Sequence, residues 1–262
     1  MTIPRPDGLQ DASRPESEAS KKIPETDDIF DNVHKLNAAS DARSDSLRIS
    51  IDTKAILKLG ELSRRGSSRG KEAVKAQDKD LGIKEKLVPF GILEVQSGEF
   101  TIVFGTSRET SDFIVECLEL WWEERKASHG HIRELVINLD NGPELASNRT
   151  QFIKRITEFA DRYGLKIHLV YYPPYHSKYN PVERVWGILE NHWNGTLLID
   201  RATAIAWAKT MTWKGISPIV RVLEKVFETG TKVAKKAFQV FQDRLDRNPL
   251  LPKWDVVIKP ET

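Results

Sequence analysis

The chain has 262 residues, of which 39% are hydrophobic and 30% charged, with a formal net charge of +2. This composition suits a protein with a sizeable folded core and excludes collagen-like, fully disordered and cysteine-rich secreted classes. Cys117 is the only cysteine, which excludes an intrachain disulfide and a zinc site built from cysteines. The apolar runs are too short for a membrane span and no secretory signal is visible, so we expect a reduced cytoplasmic protein without membrane contact.

Charge is distributed unevenly along the chain. Residues 1–46 carry 6 basic and 10 acidic side chains, whereas the remainder carries 34 basic and 28 acidic ones. A basic stretch between residues 64 and 86 includes Arg64, Arg65 and Arg69. We interpret this stretch as a loop and as a candidate contact for a polyanion such as DNA, although a solvated surface is the commoner role of a charge run.

The predicted elements alternate between strands and helices. Residues 1–25 lack the apolar content that would offset the entropy of ordering, so we expect a disordered lead-in. Apolar periodicity then predicts, in chain order, a helix opening at Thr26, strands over Leu47–Asp52, Leu87–Val95 and Phe100–Phe104, a helix from Thr110 or Ser111, a strand over Leu135–Asp140, a helix over Asn148–Tyr163, a strand over Ile167–Tyr172 and a helix opening at Asn180-Pro181.

After Gly195 the sequence shows three helical patterns and a strand-like ending over Trp254–Ile258. The order of elements predicts an α/β fold with a mixed sheet flanked by helices, and it is also the order of the ribonuclease H-like fold, although order alone does not identify a fold. We expect the core to span residues 26–195. Residues 196–262 are expected to form a C-terminal helical extension packed on that core.

Three carboxylates stand at the ends of core elements, and each has two interpretations. Asp52 and Asp140 close strands, and Glu183 lies in the first turn of a helix. Because ligands gather at strand carboxyl ends, the three together could hold Mg²⁺ or Mn²⁺, and a pair of such ions suits phosphoryl transfer. Alternatively, Asp52 only ends its strand and Asp140 opens an ordinary turn. Glu183, three residues after Asn180, would then be a helix-capping glutamate that accepts the backbone N–H of Asn180.

The helix that carries Glu183 contains two further informative residues. Gly187 lies one turn beyond Glu183, and a glycine inside a helix costs about 1 kcal/mol relative to alanine. A closely approaching ligand would explain this glycine, and so would tight helix packing. Glu190 is the main competing candidate for the third carboxylate.

The loop before Glu183 is rich in prolines and aromatic residues. His176 and Lys178 offer donor or cationic groups to phosphate, and Tyr175 and Tyr179 offer faces on which unpaired bases can stack. We take His176, Lys178 and Asn180 as candidate DNA-binding residues. A tyrosine-rich loop packed on its own domain is the alternative.

Three segments resemble the DDE transposases of bacterial insertion sequences, in particular their ISAzo-type branch. They are Ile51-Asp52-Thr53-Lys54, Leu139-Asp140-Asn141-Gly142-Pro143-Glu144 and the long, highly specific segment from Pro173 to Arg184. The resemblance implies a ribonuclease H-like catalytic core, two divalent metal ions bound by Asp52, Asp140 and Glu183, and cleavage and joining of transposon-end DNA. It also implies DNA ends and target DNA as partners, a nucleoid-associated location and a possible homo-oligomer.

The N-terminal part departs from this family pattern. Such transposases carry an N-terminal helix-turn-helix region, whereas residues 1–46 here are acidic and supply one helix at most. We therefore expect a catalytic-domain fragment or a truncated product that lacks end recognition. Two alternatives stay open, an inactive or repurposed DNA-binding remnant and a ribonuclease H-like nuclease that cuts without joining.

Overall fold

The computed structural model describes residues 22–61 and 85–261. Its helices are α1 (Thr26–Asp41), α2 (Ser111–Arg125), α3 (Thr150–Tyr163), α4 (Pro181–Trp193), α5 (Arg201–Thr210) and α6 (Lys235–Gln242). Its strands are β1 (Ser46–Thr53), β2 (Leu57–Leu59), β3 (Glu85–Glu94), β4 (Phe100–Gly105), β5 (Glu134–Leu139), β6 (Lys166–Tyr171), β7 (Ile219–Leu223), β8 (Leu245–Arg247) and β9 (Asp255–Ile258). The elements predicted before Gly195 are confirmed, and β2 is an additional short strand.

The described strands form one mixed sheet. Their order is β7-β4-β3-β1-β5-β6-β9-β8, and β2 pairs with β3 beside this path. The central strand β1 is parallel to β5 and antiparallel to β3. β6 continues the parallel part next to β5, and β4 continues the antiparallel part next to β3. This sheet confirms the predicted α/β class.

Helices cover both faces of the sheet because its strands are apolar on both sides. One face packs on α2 and α3 through residues such as Ile49, Phe113 and Phe152. The opposite face packs on α4 and α5 around Trp186, and on α1 around Ile29. β1 is polar on this second face, and its polar positions end at the predicted site.

Two local signals in the sequence define helix ends as expected. The Thr110 hydroxyl accepts a hydrogen bond of 3.1 Å from the Phe113 amide and caps α2. Gly164 ends α3 with φ +64°, a conformation that favours glycine because it has no Cβ.

Residues 196–262 correct the prediction of a helical extension. They contain α5 and α6, but they also contain β7, β8 and β9, which join the main sheet at both edges. β7 pairs with β4 and β9 pairs with β6, so this part of the chain completes the sheet. Of the predicted lead-in, residues 1–21 lie outside the described residues.

Candidate active site

Asp52 and Asp140 lie side by side at the carboxyl ends of adjacent parallel strands. The register of β1 and β5 pairs Ser50 with Asn138, and each aspartate comes two residues later on its strand. Both side chains are partly exposed. The Gly142 amide donates to Asp140 Oδ1 at 3.2 Å, and this contact closes the turn that follows β5.

Helix α4 is fastened to β1 by a buried hydrogen-bonded group around Asn180. The Ser50 hydroxyl donates to Asn180 Oδ1 at 2.5 Å and accepts from the Val182 amide at 2.9 Å. The Asn180 amide also donates to the carbonyl of Ile51 at 2.9 Å. Asn180 is 1% exposed and its side chain is occupied by these internal hydrogen bonds, and DNA contact by this residue stays a prediction. Its role is to hold the start of α4 beside the end of β1.

This fastening places the first turn of α4, which carries Glu183, beside the end of β1. Pro181 begins α4, and Glu183 lies in its first turn, partly exposed. The alternative that Glu183 caps the helix requires it to accept the Asn180 backbone N–H. That N–H instead donates to the carbonyl of Ser177 at 2.7 Å, so the capping alternative is not supported.

The negative charges of Asp140 and Glu183 both act on Asp52. Burial raises the pKa of Asp52 to about 8, and the negative charges of Glu183 and Asp140 add to the rise. A hydrogen bond from the Trp186 indole opposes this shift. Burial also raises the pKa of Asp140, against the lowering effect of the Gly142 amide. Asp52 and Asp140 are therefore costly to ionise without a cation.

The donor set fits a hard divalent cation in its chemistry. All three side chains present carboxylate oxygens, the ligands that Mg²⁺ and Mn²⁺ prefer. Among the described residues, no ion pair joins a lysine or arginine to Asp52, Asp140 or Glu183. In the same part of the chain, no three acidic, histidine or cysteine side chains are already arranged to ligate an ion. Assignment of the three as metal ligands therefore stays a prediction.

The two other residues singled out on α4 have clear surroundings. The Glu190 carboxylate pairs with Lys54 Nζ at 2.6 Å. This ion pair sets Glu190 apart from Asp52, Asp140 and Glu183. Gly187 is exposed, and a Cβ built there would meet no atom within 4 Å. Tight packing therefore does not explain this glycine, and the space beside Glu183 is open.

The loop before α4 is partly packed on its own domain. His176 is buried, with its ring centroid 5.4 Å from that of Phe30, and its Nδ1 lies 2.8 Å from the Pro174 carbonyl oxygen. His176 is packed inward in this structure, and DNA contact by this residue stays a prediction. Lys178 is exposed and lies 5.3 Å above the half-exposed Tyr179 ring, so a cation and an aromatic face stand together beside the site. DNA contact by Lys178 stays a prediction.

Two other groups of residues complete the account of the site. Arg64, Arg65 and Arg69 lie outside the described residues.

Glu109, which sequence reasoning missed, lies in the loop before α2. Reduced solvation raises the pKa of its carboxyl although the residue is exposed, and the charges of Asp140 and Glu144 contribute. Its loop carries no apolar periodicity or motif that would have singled it out.

No helix in the described part of the chain is long and apolar enough to cross a bilayer.

A family model described as the Rhodopirellula transposase DDE domain matches residues 8–260. Comparison with curated proteins gave no match.

Two solved structures of the Mos1 transposase share the fold. One is described as the Mos1 mariner paired end complex with Mn, and it aligns with a TM-score of 0.51 at 10% identity. The other is described as a Mos1 paired-end complex with left transposon end, and it aligns with a TM-score of 0.50 at 10% identity. Both alignments cover 77% of this chain and 58% of the Mos1 chain, so the chain spans less than two thirds of that protein's length. The likeness confirms the ribonuclease H-like arrangement of the sheet.

Proposed function

Because the chain belongs to the DDE transposase domain family, we propose that it catalyses metal-dependent cleavage and strand transfer of DNA at insertion-sequence ends. The observation that supports this proposal is the place of Asp52, which lies beside the end of β5, before Asp140, and beside the first turns of α4, which carries Glu183. The charges of Glu183 and Asp140 both act on Asp52, although 131 and 88 residues separate them from it in the sequence.

The chain's own residues would act mainly by position and charge. Asp52, Asp140 and Glu183 would hold two Mg²⁺ or Mn²⁺ ions, which supply charge neutralisation for the attacking and leaving oxygens of phosphoryl transfer. The carboxylates need to be ionised for this role, so cation binding and the loss of their protons are coupled. The packing of α4 on β1 keeps the three side chains in place and reduces the reorganisation needed for reaction.

The partners we propose are transposon-end DNA, target DNA and a second copy of the chain. The Mos1 structures contain paired transposon ends, and one contains Mn, which is consistent with this set. Lys178 and Tyr179 would contact DNA backbone and bases next to the carboxylates. Such a protein would work on the nucleoid in the cytoplasm.

Nicking and strand-transfer assays with Mg²⁺ or Mn²⁺ on DNA carrying the element's ends test this proposal. We expect Asp52→Asn, Asp140→Asn and Glu183→Gln each to reduce both reactions by at least about 10²–10³-fold, a loss typical of removing one electrostatic stabiliser. Circular dichroism should show that each variant is folded.

Glu190→Gln is the matched control, because Glu190 is on the same helix but pairs with Lys54. Its activity should equal that of the unmodified protein. An inactive Glu190→Gln beside an active Glu183→Gln would show that the third carboxylate is misassigned. Cutting without joining would indicate a nuclease, and DNA binding without cutting would indicate a remnant; either result would contradict the proposal.

A further inference from the structure

We propose that Trp186 is a positioning residue that orients the Asp52 carboxylate for cation binding through its indole N–H. This inference rests on the proposed function, because it concerns one carboxylate of the same site. Trp186 Nε1 donates to Asp52 Oδ2 at 3.0 Å. The indole is 2% exposed, so water does not compete freely for this hydrogen bond.

The place of Trp186 on α4 links it to the third carboxylate. It follows Glu183 by three residues, so one turn of the helix carries both side chains that act on Asp52. A movement of α4 along β1 would displace the carboxylate and the indole together. The helix therefore couples the geometry of Glu183 to the orientation of Asp52.

The sheet provides space for the indole at one particular position. Gly91 on β3 is the cross-strand partner of Asp52 on β1. A Cβ at Gly91 would lie 2.6 Å from Cζ2 of Trp186 and 2.9 Å from the ring of Phe100. Such contacts are too short, so the glycine allows the indole to lie across the sheet and reach the aspartate.

Two other contacts hold the ring in this orientation. Phe100 meets it edge to face, with ring centroids 5.4 Å apart. Lys54 Nζ lies 5.9 Å from the centroid of the indole. The ring is fixed by contacts that do not depend on the aspartate, so it can impose an orientation on Asp52.

A hydrogen bond of this kind has a known consequence for metal ligands. A donor on one carboxylate oxygen restricts the side-chain rotamer and leaves the other oxygen to the cation. Loss of such an outer partner typically weakens metal binding 10–100-fold. We therefore assign to Trp186 an effect on cation affinity that its packing alone would not produce.

Mn²⁺ binding measured by electron paramagnetic resonance tests this role without DNA. Trp186→Phe keeps an aromatic ring but removes the N–H, and we expect it to weaken Mn²⁺ binding by about 10–100-fold. Gly91→Ala keeps the indole but displaces it, and we expect a loss in the same direction. Trp121→Phe is the matched control, since Trp121 is equally buried at 2% but lies on the opposite face of the sheet. Its affinity should not change.

Indole N–H resonances in ¹H–¹⁵N spectra provide a second test. It keeps Trp186 in place, so it remains valid if Trp186→Phe folds poorly. The chain has seven tryptophans, and the resonance of Trp186 can be assigned by single substitution of the other six. At a pH high enough to ionise Asp52, we expect Asp52→Asn to shift this resonance upfield, because a neutral acceptor replaces a carboxylate. We also expect titration with Mg²⁺, in the absence of Mn²⁺, to move it.

The outcomes separate this inference from the proposed function. Unchanged Mn²⁺ affinity in a folded Trp186→Phe, or an indole resonance that ignores Asp52→Asn, would overturn the positioning role alone. Failure of the unmodified protein to bind Mn²⁺ would overturn both. Mn²⁺ binding that depends on Trp186, in a protein that neither cuts nor joins DNA, would support the positioning role and contradict the proposed function.

Discussion

Asp52 lies where burial and two other carboxylates all oppose its negative charge. This arrangement costs stability in the cation-free protein and is relieved by a bound cation. Asparagine has the same shape and can still accept the indole N–H, but it carries no charge. Asp52→Asn should therefore raise the unfolding free energy of the cation-free protein by about 1–3 kcal/mol.

Thermal unfolding in EDTA and in excess Mg²⁺ measures this effect. The unmodified protein should gain more stability from Mg²⁺ than Asp52→Asn does, since the variant has less repulsion to relieve. Glu190→Gln serves as the control and should show no gain in EDTA. Equal melting temperatures for Asp52→Asn and the unmodified protein in EDTA would contradict this account of the site.

Single residues also show the limit of prediction from the sequence. The three carboxylates could be selected because they follow strands or open a helix next to a specific motif. The role of Asn180 could not, because a polar residue at a helix start suits DNA contact and internal hydrogen bonding equally well. Its partner Ser50 is 130 residues away. Trp186 was placed on the apolar stripe of its helix, but its contact with Asp52 depends on the space left by Gly91.

At the scale of elements, α4 contains an exposed glycine where alanine would favour the helix. The space at Gly187 is open in the structure, so a methyl group meets no steric obstacle. We expect Gly187→Ala to raise the unfolding free energy by about 1 kcal/mol, measured by urea denaturation of the DNA-free protein.

Gly164→Ala provides the opposite control, because Gly164 ends α3 at φ +64° and alanine is strained there. This variant should lose stability although nothing lies within 4 Å of its Cβ position either. A loss of stability in Gly187→Ala would show that the helix is strained or more closely packed at this glycine than the structure indicates.

Elements differ in how well their sequence pattern predicts them. β5 is buried on both faces and reads as a continuous apolar run, so it was predicted to within one residue. β7 has one buried and four partly or fully exposed residues, with Val220 and Leu223 at helical spacing. β7 forms a strand because it pairs with β4, and the pattern of its own residues does not predict this pairing.

At the scale of the whole molecule, Asp255 joins parts of the chain that are far apart in sequence. One carboxylate oxygen lies 2.7 Å from Nε2 of His168 on β6. The other accepts hydrogen bonds from Asn32 on α1 and Asn248 before β9. Glu134 on β5 lies on the other side of the imidazole, 3.7 Å from Nδ1. The His168 imidazole therefore stands between two carboxylates, and Asp255 links α1 and the segment before β9 to the sheet.

The signs of the pKa shifts determine how this group responds to pH. Burial alone would lower the pKa of His168, but the hydrogen bond with Asp255 and the nearby negative charge of Glu134 outweigh burial and raise it. Its stabilising contribution is complete below the unfolded pKa of about 6.5 and is lost as pH rises through the higher folded value. The interaction with His168, followed by Lys166 and Arg43, lowers the pKa of Glu134 to about 2 despite burial. That contribution is complete above the unfolded value and is lost as pH falls toward 2.

Asp255→Asn removes the charge that most favours protonated His168, so its cost should depend on pH. The variant should be less stable than the unmodified protein below the unfolded pKa of His168 of about 6.5, and the difference should shrink as pH rises through the higher folded pKa, because the imidazole then loses its charge in both proteins. Urea denaturation across this range measures the difference. Asp246→Asn, on the exposed side of β8, is the control and should give a curve parallel to that of the unmodified protein. Because Asp255 also binds two asparagines, a constant loss at every pH would assign its contribution to those neutral hydrogen bonds and contradict the charged pair with His168.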